Sequence, residues 1–365
     1  MTSNVPFDSD WVSPPGDTIE DALEELGMTQ VDLALRTGFS KKHVNGLIKG
    51  KVALTADTAM KLEAVLGAPS TFWLKREMEY QEDLARRRSL DEAESHKDWL
   101  KEFPLRELIR LGWITEHSHK GQQVVEALRF FGVASVGAWQ SQVEDLAPAY
   151  RASSRFSKKR GSVAAWFRKA ELDANLLRIH PFDREGLIVA IPKLRELASE
   201  PHPDVFVPAM QDLCGACGVA VVFVPAPSGC PASGATWWST PHRAILALSL
   251  RHKTNDHLWF SFFHELGHLL KHGKKLRFVE GAGLDGLDAK KEREADAFAS
   301  RVLIPDSSRI ERLTTGRVSA DAVRAFAEEA AIAPGIVVGR LQHDGVLPQS
   351  HLNTLKVRYA WAQDG

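Results

Sequence analysis

Trp259-Phe260-Ser261-Phe262-Phe263-His264-Glu265-Leu266-Gly267-His268-Leu269-Leu270 decides how the C-terminal half of this chain is read. It contains H-E-x-x-H. On a helix, residues four apart differ by about 40° around the axis, so His264 and His268 project from one face. That spacing lets two imidazoles hold a single zinc ion, Zn2+. Glu265 stands next to the first ligand and points toward the water that such an ion holds, where it serves as general base. Two imidazoles and a carboxylate in an otherwise apolar helix are costly to bury without a shared partner, which argues against two incidental histidines. The site needs a third protein ligand from elsewhere and one open position.

Upstream, Val219–Val224, Ser233–Trp238 and Ala244–Leu248 read as short strands from their β-branched and alternating content. A small sheet followed by this helix is the scaffold of a zincin cleft, in which an edge strand holds an extended peptide by main-chain hydrogen bonds. Downstream, a helix over Lys290–Leu303 places Glu292, Ala295, Asp296, Ala299 and Leu303 on one face. The small residues there admit close approach of another helix, and Gly267 offers the matching gap. Glu292 is therefore the third ligand, and Asp296, one turn on, can orient a ligand histidine through its ring N–H. Glu294 falls on the other face and reads as a solvated charge. His272, four residues after His268, reads as a helix-end cap, with oxyanion stabilisation as the alternative.

The N-terminal part has a different pattern. Residues 1–16 end in Ser13-Pro14-Pro15-Gly16 and read as an extended arm. Thr18 caps a first helix to Leu26. Thr29-Gln30-Val31-Asp32 forms a capping box for a second, and Ser40 caps a third over Lys41–Lys49. A fourth runs from Thr55 to Leu66. Short helices with a glycine turn, Gly38-Phe39, between the second and third are a helix-turn-helix pattern. Residues 36–51 carry Arg36, Lys41, Lys42, Lys49 and Lys51 and no acid, whereas the first helix is acidic. On the third helix Val44, Leu47 and Ile48 face inward, leaving Lys41, Lys42, His43 and Asn45 outward near the end that enters a major groove. Asn reads adenine, and Lys reads guanine or a phosphate; Gln30 opens the second helix, where a side chain touches the DNA backbone.

Length and composition frame both halves. A chain of 365 residues accommodates two or three domains. A net charge of -1 rules out a uniformly basic surface, so nucleic-acid contact must come from a local patch. Three cysteines, Cys214, Cys217 and Cys230, are too few for a disulfide framework and point to a reducing cytoplasm. Cys214-x-x-Cys217 lacks a second pair and reads as two buried thiols. The first residues carry no signal-peptide pattern, and no apolar run is long enough to span a membrane. Between the halves, Arg86–Lys101 reads as a solvated helical connector. Trp99, Trp113, Phe130, Phe131, Trp139, Trp166 and Phe167 read as core. The expected fold class is α+β, mainly α with a small sheet. It is divided into a helix-turn-helix head (1–85), a helical linker domain (86–200) and a zincin-like peptidase domain (201–365).

Two resemblances follow. Residues 18–85 resemble the Cro/repressor-type helix-turn-helix domain in its HigA-like antitoxin branch, through Leu54-Thr55-Ala56-Asp57-Thr58-Ala59-Met60-Lys61-Leu62-Glu63, Leu66-Gly67 and Phe72-Trp73-Leu74. This resemblance implies operator DNA as a partner and a homodimer. Residues 200–360 resemble the ImmA/IrrE metallo-endopeptidases, through His264-Glu265-Leu266-Gly267-His268, the run Glu292–Ala299, Leu303-Ile304-Pro305 and the tail Ile332–Gln342. It implies cleavage of a regulatory protein, such as a repressor or toxin, in a stress, phage or toxin-antitoxin response. Here the repressor-like head and the peptidase share one chain, which departs from the family's two-protein arrangement. The alternative is a non-proteolytic antitoxin or repressor whose zinc domain senses a signal or binds a partner.

Overall fold

The computed structural model describes residues 13–146, 160–273, 278–279, 287–305, 310, 313 and 318–362. Residues 1–12 of the expected arm lie outside them. By internal contacts the chain forms two compact units, residues 1–97 with 118–125, and residues 98–117 with 126–365.

The first unit is helical. Helix α1 spans Pro15–Glu25, so it starts before Thr18 and takes in the end of the expected arm. Pro14 is its N-cap with φ -66° and ψ 155°, and Pro15 occupies the first turn, where the missing N–H has no helical partner to lose. Helix α2 (Gln30–Thr37) opens on the reciprocal Thr29–Asp32 capping box and stops at Gly38, whose φ of 72° is the left-handed cap. Ser40 caps α3 (Lys41–Ile48) through the His43 N–H, and Thr55 caps α4 (Ala56–Leu66). Helix α5 runs over Ser70–Ser95, through residue 85, where the sequence pattern placed the end of the head. Ile19, Leu33, Val44, Leu47, Leu62 and Trp73 close the core. The Trp73 indole N–H donates to the Ala68 carbonyl at 3.1 Å, so the buried ring leaves no polar atom stranded.

The second unit begins with a 3₁₀ turn (Lys97–Glu102, its first residue counted with the head) and α6 (Leu105–Arg110), followed by α7 (Lys120–Phe131, residues 120–125 of which are counted with the first unit) and α8 (Val136–Leu146). Trp99, Phe103, Phe131 and Trp139 meet edge to face or tilted, with centroids 5.1 to 6.3 Å apart. Helices α9 (Arg160–Leu176), α10 (Arg184–Glu196) and α11 (Pro203–Gly215) lead into the sheet.

That sheet has order β1-β3-β2-β4, from β1 (Val219–Phe223), β2 (Gly234–Thr240), β3 (Arg243–Leu248) and β4 (Phe278–Val279). β1 runs parallel to β3; β2 is antiparallel to both its neighbours. Alternation sends Ala220, Val222, Ile245 and Ala247 to one face, against Trp166 and Phe167 of α9. Val219, Val221, Ala244, Leu246 and Leu248 face the other way, toward helix α12 (Asn255–Lys271). Trp166 and Phe167 are 0% and 2% exposed, and burying each contributes roughly 1.5–3 kcal/mol. Helices α9 and α10, assigned by sequence to a linker domain, therefore share the sheet's cores, and the boundary expected at residue 200 passes through packed side chains. The α+β class holds.

Helix α12 carries H-E-x-x-H and is buried along nearly its whole length. Helix α13 (Leu287–Leu303) packs on it; α14 (Ala320–Glu329) and α15 (Pro334–His343) complete the second core. At the start of α12, Asp256 pairs with Lys356 Nζ at 2.6 Å, both side chains under a tenth exposed, and Lys356 also donates to Gln342 Oε1. This buried pair ties the C-terminal segment to the site helix. Among the described residues no helix is long and apolar enough to cross a membrane.

Candidate metal centre

His264 and His268 both sit inside, 2% and 1% exposed. Their Nε2 atoms stand 3.0 Å apart. Glu292, from α13, reaches both, with Oε2 3.2 Å from His264 Nε2 and Oε1 3.3 Å from His268 Nε2. Among the described residues these three form a cluster with metal-ligand spacing. A tetrahedral zinc with bonds of about 2.0–2.1 Å spaces its ligand atoms about 3.3 Å apart, close to all three separations. The residues present therefore fit a zinc ion.

Close helix packing creates the triangle. A Cβ at Gly267 would come 3.0 Å from Phe298 Cδ1 and 3.3 Å from Ala295 Cα. Ala295 and Ala299 are fully buried, so the face carrying Glu292 lies against α12. Charge supports the ligand set. Burial pushes the His268 imidazole below its ordinary value despite Glu292, leaving it neutral with a lone pair to give. Burial alone would raise Glu292, but its contacts with His264 and His268 outweigh this and hold its carboxyl down at about 2.

Both histidines of the cluster are braced from behind. His264 Nδ1 lies 2.8 Å from Asp296 Oδ1. His268 Nδ1 lies 3.0 Å from His272 Nδ1, and His272 Nε2 lies 3.2 Å from Glu294 Oε2. With Nε2 given to a metal, His268 keeps its proton on Nδ1 and donates it to His272, which donates from Nε2 to Glu294. Glu294 stays the more exposed of the two glutamates, 41% against 21% for Glu292, as expected, and it is also partnered. Its contact with His272 lowers its pKa. His272 does end the helix, its N–H donating to the His268 carbonyl at 3.0 Å. Its ring lies on the Nδ1 side of His268, away from the three converging atoms.

Glu265 is fully buried beside the ligands. It packs against the first residue of β2: a Cβ at Gly234 would lie 2.9 Å from Glu265 Cγ and 3.2 Å from its Oε1. Only glycine lets the strand come this near. β4 pairs with Ala235 and Thr236, immediately after that glycine. Cys214, Cys217 and Cys230 are buried, and burial raises all three thiols, Cys230 to about 12.

In the head, Lys41, Lys42 and Asn45 are exposed on α3. Gln30 is half-buried, its amide 3.5 Å from Glu20 Oε1. His43 departs from expectation. Its ring rests on Phe39 with centroids 4.7 Å apart, and its Nε2 is buried, so aromatic packing withdraws it from the outward face.

Residues 19–73 match the helix-turn-helix family, and residues 218–341 match the family of IrrE N-terminal-like domains, a peptidase family. The chain is 35% identical over 60 residues to an uncharacterized HTH-type transcriptional regulator, YddM, of Escherichia coli (strain K12). That match covers 16% of this chain and 64% of the regulator, so the chain spans a little under two thirds of that relative's length. A solved structure of an addiction module antidote protein of a HigA family from Coxiella burnetii is also similar, at 27% identity over 23% of this chain and 92% of that one, with a TM-score of 0.22.

Proposed function

We propose that this chain, with a helix-turn-helix domain at one end and an IrrE N-terminal-like domain at the other, is a DNA-binding transcriptional regulator that carries a zinc-dependent endopeptidase. The observation that carries the reading is the triangle of His264 Nε2, His268 Nε2 and Glu292 at 3.0, 3.2 and 3.3 Å, with fully buried Glu265 alongside. When bound, zinc supplies Lewis acidity to a scissile carbonyl and acidifies water.

The chain's own residues do the rest. His264, His268 and Glu292 hold the ion; Asp296 and the His272–Glu294 pair fix the two imidazoles. Glu265 takes a proton from the attacking water and delivers it to the leaving amine as the C–N bond breaks. In the head, Lys41, Lys42 and Asn45 read DNA, with Gln30 beside the backbone. Functionally the head is residues 1–85 and the peptidase 201–365, with region 86–200 supplying α9 and α10 to the peptidase's cores. The substrate is a separate regulatory protein, a repressor or toxin, in the cytoplasm, and the head dimerises on its operator. Residues 86–95 belong to helix α5, and a helix must unwind before entering a cleft as a strand, which disfavours self-cleavage there.

The second reading is a repressor or antitoxin whose zinc domain senses or binds without cutting. One observation favours it: β4 pairs along β2 beside Gly234, where an extended substrate would add. Metal analysis of protein never exposed to chelator tests the shared premise. One zinc per chain, lost in His264→Ala, is expected; a content near zero overturns both readings.

A further inference from the structure

Away from the metal ligands, the second unit holds a cavity of about 660 Å³. Its walls are the end of α6, Lys169 of α9, the loops 225–230 and 249–253, and Trp361. This volume lies within the range of small-molecule sites, roughly 300–1,000 Å³.

Among the described residues four cations line it, Arg110, Lys169, Arg251 and Lys253. Lys169 is paired with Asp173 at 2.5 Å and Arg110 with Glu107 at 3.9 Å, so the surplus of positive charge comes from Arg251 and Lys253. Glu107 is engaged with the wall itself: its Oε2 accepts the Ser228 N–H at 2.8 Å. Trp113 and Trp361, both half-buried, contribute indole surface. An excess of positive charge beside two indoles suits a ligand that joins an anion to a flat ring. Guanidinium and ammonium groups take the phosphate, and the indoles take the ring.

The wall is also connected to the candidate catalytic base. Leu250 and Lys253 hold left-handed backbone, with φ of 49° and 55°, rare for side chains of this size and kept only where the surrounding structure fixes it. Ser249 is hydrogen-bonded twice to the strand entry, its N–H to the Ser233 carbonyl at 3.0 Å and its hydroxyl to the Ala232 carbonyl at 2.6 Å. The next residue, Gly234, is the one against Glu265.

We propose that this cavity is an effector site for a mononucleotide, its phosphate held by Arg110 and Arg251 and its base by Trp113 and Trp361. Occupancy clamps loops 225–230 and 249–253 together and so bears on the strand entry that faces Glu265.

Calorimetry on the full chain tests this with AMP, adenosine, inorganic phosphate and a short single-stranded oligonucleotide. AMP should bind once per chain, with adenosine and phosphate each weaker by about tenfold or more. Arg110→Glu with Arg251→Glu should weaken AMP by at least about tenfold while melting temperature and metal content stay at wild-type values. If the double variant fails to fold, Arg110→Glu alone carries the test, its side chain being 68% exposed. No binding of AMP at millimolar concentration overturns the proposal. So does phosphate matching AMP, affinity unmoved by the charge reversal, or binding of the oligonucleotide without AMP. None of these readouts depends on proteolysis.

Discussion

His268 and His272 face each other through their Nδ1 atoms at 3.0 Å, so the second H-E-x-x-H histidine is braced on its Nδ1 side by a third histidine rather than by a carboxylate. Glu294 stands behind that pair, 3.2 Å from His272 Nε2. His264, in contrast, meets its carboxylate, Asp296, without an intermediary.

This chain of contacts makes Glu294→Ala and His272→Ala positioning variants. Each should lower zinc affinity by about 10–100-fold, the usual cost of losing a group that orients a ligand histidine. Glu292→Ala should lose zinc outright under the same chelator competition. Equal losses from Glu292→Ala and Glu294→Ala would show that the relay has been misjudged.

Gly234→Ala tests the approach of β2 to Glu265. The added methyl would crowd Glu265 Cγ at 2.9 Å, so the carboxylate must move. Peptidase activity should fall steeply while zinc stays bound, with a stability loss of about 1–3 kcal/mol by thermal melting. Full activity in Gly234→Ala would mean that the close approach of β2 does not hold Glu265 in place for the reaction.

Acid should weaken the metal-free fold through His268. Its folded pKa lies below the ordinary 6.5, so as pH falls the unfolded chain takes up the proton first. The stability that the neutral ring contributes is intact above 6.5 and drains away below it. The melting temperature of metal-free protein should drop from pH 7 toward 5, and less so in His268→Gln; parallel slopes would contradict this.

Lys42→Ala should weaken operator binding across sequences and reduce the salt slope by about one. Asn45→Ala should relax sequence preference more than affinity. Footprinting and filter binding at several salt concentrations separate the two. Operator binding unchanged after deletion of residues 1–97 would remove the head as the reader.

How much of this was legible in the sequence depends on distance along the chain. His264 and His268 share a helix, and Glu292 could be placed by the small residues Ala295 and Ala299 on its own face. The His272–Glu294 contact needed the way α13 lies beside the end of α12, which no single helix's pattern contains. Gly234 against Glu265 is a meeting of strand and helix, and an isolated glycine in a strand signals only that some backbone comes close. Pro14-Pro15 read as an arm because prolines mark breaks as well as first turns. Trp166 and Phe167 were recognisable as core, but not as the outer layer of this sheet, since an apolar stripe does not name its partner. His43 looked outward by angle alone; Phe39, in the preceding turn, draws it in.

The most direct measurement compares wild type with Glu265→Gln, each carrying one zinc per chain, for the new protein termini they generate in a cell lysate, read by mass spectrometry. The account predicts a discrete set of termini from wild type, none from the variant, and intact substrate retained on Glu265→Gln. Identical termini from both proteins, or none from zinc-loaded wild type, would contradict it.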